Sequence, residues 1–162
     1  MTRWPDFQRE LRSGEEAEVD ALLTLSFGGP EEVAVVHRLR ADRAMAGEQV
    51  MAADGAIIAY AALSRMIDPK GWLCLGPVAV HPDWQGRGLG RRMVGMIVEW
   101  ARISGVYVVV VGEGKFYRSA GFSALRAARL RAEFPVANLL LAGPGGDFPD
   151  RKLVCPRAFE PS

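Results

Sequence analysis

Residues 81–95, HPDWQGRGLGRRMVG, carry the densest chemical signal in the chain. Gly86, Gly88 and Gly90 alternate with other residues between a tryptophan and a run of arginines, directly before apolar residues at helical spacing. Glycine lets backbone N–H groups close on an anion, and a helix starting there adds the positive end of its dipole. Arg87, Arg91 and Arg92 bring formal charge to the same place. Two phosphate-binding patterns fail: both the dinucleotide fingerprint and a Walker A loop begun at Gly86 need glycine where Arg91 stands. The pattern that fits is Q-x-x-G-x-G entering a helix, written as Gln85, Gly88 and Gly90. It suits a phosphorylated ligand held without an obligatory metal.

The stretch before the loop, LCLGPVAV, reads as a buried strand interrupted at Gly76-Pro77. Proline cannot donate to a sheet ladder, and glycine in a strand often marks a bulge. A break there would splay this strand from the Val106 to Val111 strand and leave backbone unpaired at Val78, Ala79 and Val80. An extended ligand with its own amides can pair there as a pseudo-strand. Pantetheine has such amides, and coenzyme A carries a pyrophosphate at one end of that arm. One ligand accounts for both the strand defect and the glycine loop.

The elements that must position these residues alternate along the chain. Phe7 to Arg12 alternates as a first strand. Ser13 is a good N-cap, with Glu15, Glu16 and Glu18 in the following turns. Val19, Leu22, Leu23 and Ser26 share one helical face, which Gly28-Gly29-Pro30 ends. Pro30 is also a natural first residue for a helix over Glu31 to Ala41. Glu48 to Ala53 and Ala56 to Arg65 flank Asp54-Gly55, a strong hairpin signal. Leu89, Met93, Val94, Ile97 and Ala101 recur at helical spacing up to Gly105. Val106 to Val111 reads as a central strand, Lys115 to Ala120 as a short helix, and Phe122 as the start of another strand. The tail, Pro135 to Ser162, holds two short apolar pieces, Asn138 to Ala142 and Lys152 to Cys155.

A chain of 162 residues can bury about 70% of its unfolded surface, enough for one domain with a core and a pocket. Net charge is +1, so composition gives no push toward nucleic acid or an anionic membrane. No apolar run is long enough to span a bilayer as a helix. Cys74 and Cys155 lack metal-ligand spacing, and no apolar leader segment opens the chain; the expectation is a cytoplasmic protein.

LGPVAVHPDWQGRGLGRRMV resembles the strand and acetyl-CoA pyrophosphate loop of the GNAT superfamily of N-acetyltransferases. VVGEGKFYRSAGF resembles that superfamily's later strand, short helix and Tyr-x-x-x-Gly-Phe element. The likeness covers about residues 72–122, and LVCPRAFEP in the tail is similar to a bacterial subgroup of predicted acetyltransferases. The resemblance implies an α/β (α+β) domain over residues 1–162. It also implies a mixed, mostly antiparallel sheet of six to seven strands, splayed at the acetyl-CoA site and flanked by about four helices. Acetyl-CoA would be the co-substrate, with no metal. Its pantetheine would lie on the backbone of Val78, Ala79 and Val80. Its pyrophosphate would lie on Gln85, Gly86, Arg87, Gly88, Leu89, Gly90 and Arg91. Tyr117 matches the tyrosine that protonates the departing thiolate. Glu31 and Glu32 stand where the first helices border the acceptor site, and they are the candidates for general base. Direct transfer to a primary amine in a ternary complex follows; the alternative is a non-catalytic acyl-CoA-binding module. A homodimer is common among such proteins.

There are departures from the pattern. Gly114 and Phe116 stand where the subgroup often has proline and tyrosine. Cys74 occupies the strand position at which the histone-acetylating members carry a glutamate base. That favours a small-molecule amine acceptor over a protein. Bland roles also exist for several residues: Cys74 as a small core residue, His81 and His37 in a loop and on a helix surface, and Glu113 at a helix start.

Overall fold

The Asp54-Gly55 pair folds as expected, with both residues in the left-handed region at φ 52 and 79, the geometry of a tight hairpin turn. The computed structural model of the chain describes residues 4–132 and 138–160. Its elements run β1 (Arg9–Glu10), α1 (Glu16–Phe27), α2 (Glu31–Ala41), β2 (Met45–Ala53), β3 (Ala56–Arg65) and β4 (Leu73–Val80). A 3-10 turn at Pro82–Trp84 leads to α3 (Leu89–Ser104), β5 (Val108–Val111) and α4 (Gly114–Ser119). β6 (Arg131–Ala132), β7 (Leu139–Ala142), β8 (Lys152–Leu153) and a second 3-10 turn at Arg157–Phe159 complete the tail.

Six strands form one sheet in the order β1-β2-β3-β4-β5-β7, and β6 pairs with β8 separately. Every pair in the main sheet is antiparallel except β4 with β5. Among the described residues four α-helices flank it. This is the mixed, mostly antiparallel α/β architecture that the resemblance implied. Apolar residues cover both faces. Leu89, Met93, Val94, Ile97 and Ala101 of α3 are buried against one side with Leu73, Leu75 and Val110. Val19, Leu22 and Leu23 of α1 and Val36 of α2 pack on the other with Val50, Tyr60 and Ala79. A third cluster, including Trp72, Cys74, Val109 and Leu153, seats the tail against the sheet. Trp72 and Tyr107 stack there, with ring centroids 4.6 Å apart.

Several sequence expectations need correction. α1 begins after Glu15, not Ser13, and Glu15 is held by Arg9 and by the Arg12 N–H rather than capping the helix itself. Pro30 sits just before α2 instead of opening it. β5 starts at Val108, where its pairing with both β4 and β7 begins. Phe122 opens no strand: its neighbour Ser123 makes a single bridge to Leu141 while Phe122 itself is buried in the core. In the tail from Pro135, positions 135–137 and 161–162 lie outside the described residues.

Candidate active site

The break at Gly76-Pro77 is a bulge. Between the pairs Ala61↔Val78 and Leu63↔Leu75, two steps on β3 face three on β4. β4 stays with β5 only through Leu73↔Val108, Cys74↔Val109 and Leu75↔Val110, so beyond Leu75 the two parallel strands part. Antiparallel residues alternate between those that exchange hydrogen bonds with the partner and those that do not. The His81 N–H donates to the Ile58 carbonyl at 2.7 Å, which puts Ala79 in the bonded set opposite Tyr60. Ala79 therefore has no spare peptide groups, contrary to the sequence expectation. Val78 and Val80 turn theirs toward the gap. The Val80 carbonyl already accepts from Ser26 Oγ at 3.1 Å and Gln85 Nε2 at 3.0 Å, which pins α1 and the glycine loop to the strand end.

The loop itself follows from its residues. Gly86 and Gly88 take φ 78 and 77, so the motif's least specified glycine is as conformationally demanding as its neighbour. Gly90 is needed for a different reason. A Cβ there would lie 3.3 Å from Phe116 and 3.4 Å from Val80, so the first turn of α3 lies close against both α4 and β4. The N–H groups of Leu89, Gly90 and Arg91 lie in the first turn of α3, where a helix offers them no acceptor of its own. Trp84 is buried beneath the loop, and the Arg87 guanidinium rests over its ring at 4.7 Å.

Two cavities open along the gap. The first, about 670 Å³, is lined by Val78 and Val80, the loop residues Gln85, Gly86, Gly88, Leu89, Gly90 and Arg91, and Tyr117, among others. Arg87 does not line it. The second, about 410 Å³, is lined by Phe27, Glu32 and Val35 from the first two helices, the bulge Gly76-Pro77, Cys74, Val111, and Cys155 and Phe159 of the tail. Val78 and Tyr117 line both, so the cavities meet there.

Tyr117 is placed by packing. Its ring meets Phe116 and Phe122 edge to face, at 4.9 and 5.8 Å, and lies so close over Gly112 that a Cβ there would come within 2.4 Å. Burial, with the Cys74 thiol nearby, raises its hydroxyl above the ordinary tyrosine value. Among the described residues none hydrogen-bonds that hydroxyl. Cys74 is buried and its thiol is pushed up to about 12, so it stays protonated and is neither base nor nucleophile near neutrality.

The remaining candidates separate. Glu32 lines the second cavity, whereas Glu31 is exposed and turns its carboxylate back toward Gly29. Glu113 caps α4, accepting from the Lys115 and Phe116 N–H groups at 2.9 Å each. His81 caps the 3-10 turn by accepting from the Asp83 N–H, and His37 pairs with Asp20 on the surface. Trp84, Ser119, Phe27, Val35 and Phe159 line the cavities without having been singled out from the sequence. The one available signal was Phe27, an aromatic off the buried stripe of α1 just ahead of the helix-ending glycines. Among the described residues no cluster of three His, Cys, Asp or Glu side chains could hold a metal ion.

Comparison with known proteins bears on the family and the fold. A family model described as acetyltransferase (GNAT) domain matches residues 46–124. The uncharacterized N-acetyltransferase YhbS of Escherichia coli (strain K12) is 32% identical over 123 residues, covering 72% of this chain and 73% of that protein. The L-amino acid N-acyltransferase MnaT of the same organism is 35% identical over 74 residues, 43% of each chain. Among solved structures, YhbS in complex with CoA superposes with a TM-score of 0.80 at 24% identity, over 94% of this chain and 91% of that one. A GNAT family acetyltransferase from Brucella melitensis in complex with acetyl-CoA gives 0.79 at 26% identity, over 95% and 97%. With its split sheet, glycine loop and a relative matched over most of both chains, this protein belongs to the GNAT family of acetyltransferases.

Proposed function

We propose that the protein binds acetyl-CoA and transfers the acetyl group to a primary amine of a small-molecule acceptor, directly, within a ternary complex. The observation that carries this reading is the junction of two cavities at Val78 and Tyr117, one running to the anion-ready loop and the other to Glu32. The related structures hold CoA or acetyl-CoA. The residues here fit that group. The first-turn N–H groups of α3, with Arg91 beside them, suit the pyrophosphate, and the peptide groups of Val78 with the Val80 N–H suit the pantetheine amides.

Bound there, acetyl-CoA supplies a thioester whose acetyl carbon is open to attack. The Val78 N–H is placed to donate to the carbonyl oxygen as it gains charge. The acceptor arrives as an ammonium, and Glu32 takes its proton through water. Attack by the neutral amine then makes the C–N bond and breaks the C–S bond, and the surplus proton on the nitrogen passes to the departing sulfur, so the products are the amide, CoA thiol and the one proton taken by Glu32. Tyr117 donates a hydrogen bond to the departing sulfur. Full proton transfer from Tyr117 is disfavoured: an ordinary tyrosine is about 1.5 pKa units weaker as an acid than a thiol, and burial raises both kinds of group here, so it gives Tyr117 no advantage. Tyr117 therefore acts as a protonated hydrogen-bond donor rather than a proton source.

Two measurements test this. Calorimetry with acetyl-CoA checks donor binding, and thiol release with a panel of primary amines checks transfer. Binding without thiol release from any amine would leave only an acyl-CoA-binding module.

A further inference from the structure

We infer that the acceptor is a primary amine on an apolar body, with a single positive charge and no carboxylate, held in the second cavity with its ammonium at Glu32. This rests on the transfer reading of the same site and narrows it. Phe27 and Val35 from the first two helices, Pro77 from the bulge and Phe159 from the tail give that cavity apolar walls. Among the described residues lining it, Glu32 is the one carboxylate, and no lysine or arginine is present. Cys74 adds no charge, because burial keeps its thiol protonated.

These facts rank acceptors by chemistry. A buried charge without a partner is costly, and an ammonium facing a carboxylate has one. An α-amino acid would bring a carboxylate into a cavity whose described lining has no lysine or arginine to meet it and already holds one carboxylate. A polyamine would bring further ammonium groups with no second acid to meet. An alkyl or arylalkyl monoamine leaves no charge unmatched and sets its hydrocarbon against Phe27, Val35, Pro77 and Phe159. Tyr117 and Val78 line both cavities, so an amine anchored at Glu32 lies in the cavity that meets the thioester site.

The test compares kcat/KM at saturating acetyl-CoA for 2-phenylethylamine, hexylamine, L-phenylalanine and spermidine. The two monoamines should exceed the amino acid and the polyamine by at least about tenfold, the factor expected from one unmatched charged group. Glu32→Gln should raise KM for 2-phenylethylamine by about 10–100-fold while leaving acetyl-CoA affinity unchanged. Glu32→Lys should shift the ratio of 2-phenylethylamine to L-phenylalanine toward the amino acid, a ratio that partial loss of folded protein cannot move. Equal or better turnover of L-phenylalanine or spermidine by the unmodified protein overturns this acceptor class and keeps acetyl transfer. Unchanged KM in Glu32→Gln removes the anchor and with it the inference. Acetyl-CoA binding with no thiol release from any of the four removes the transfer reading itself, and the inference falls with it.

Discussion

A hydrogen bond from a neutral hydroxyl to a developing thiolate is worth roughly 1.5–3 kcal/mol, or about 10–100-fold in rate. Tyr117→Phe should therefore lower kcat by about that factor with acetyl-CoA affinity nearly unchanged, measured by steady-state kinetics beside calorimetry; unchanged turnover removes the role. Gly112→Ala should have a similar effect on kcat, because the new Cβ would meet Tyr117 Cε2 at 2.4 Å and move the ring. Retained circular dichroism with lost turnover would support that; a fully active Gly112→Ala protein would not. The position of Tyr117 was legible from its spacing to Gly121-Phe122. Its raised pKa was not, because the cause is burial in the folded core, with the Cys74 thiol brought close from β4. Glu31 and Glu32 were likewise indistinguishable as letters. Successive helical residues point about 100° apart, and only the structure tells which of the two meets the cavity.

Elements were easiest to read where they define themselves and hardest where a partner ends them. Asp54-Gly55 specifies its hairpin locally, and α3 declares its buried face through five apolar residues. The start of β5 is set by its neighbours, since pairing with both β4 and β7 begins at Val108, and no local pattern in Val106 to Val111 encodes that. The entry to α1 shows the same dependence. Ser13 has the right chemistry for a cap, yet Arg9 on β1 reaches Glu15 with two hydrogen bonds of 2.8 Å, and the helix begins after Glu15. Those bonds, with the Arg12 N–H, lower the Glu15 carboxyl to about 2. A carboxylate with a depressed folded-state pKa stabilises the fold above its ordinary pKa and loses that contribution as pH falls. The window here runs from about 4.5 down to about 2. Thermal melts across that range should show Glu15→Gln losing less stability on acidification than the parent protein. Identical slopes would detach this ion pair from acid unfolding.

At the scale of the whole molecule, the gap between β4 and β5 is the organising fact, and a ligand that fills it should join the two halves of the sheet. Acetyl-CoA at 100 times its dissociation constant should stabilise the fold by about 2.7 kcal/mol, raising Tm by about 5–10 °C for a domain of this size. ATP or NAD in its place should give no such shift; stabilisation by either of them alone would reassign the loop. The gap also has a simple arithmetic. A regular strand keeps one face by taking even steps, yet Leu73, Leu75, Val78 and Val80 all meet the cluster beneath α3, with an odd step of three in the middle. Without Pro77 the segment would read LCLGVAV, an unbroken strand with the same side chains inward and no missing donor. Deleting Pro77 should therefore let β4 run on beside β5, gaining about 1–2 kcal/mol from restored ladder bonds while abolishing acetyl-CoA binding, both readable by melting and calorimetry. A deletion mutant that still binds acetyl-CoA would break the link between the gap and the ligand. By that count the opening differs from a closed sheet by a single residue.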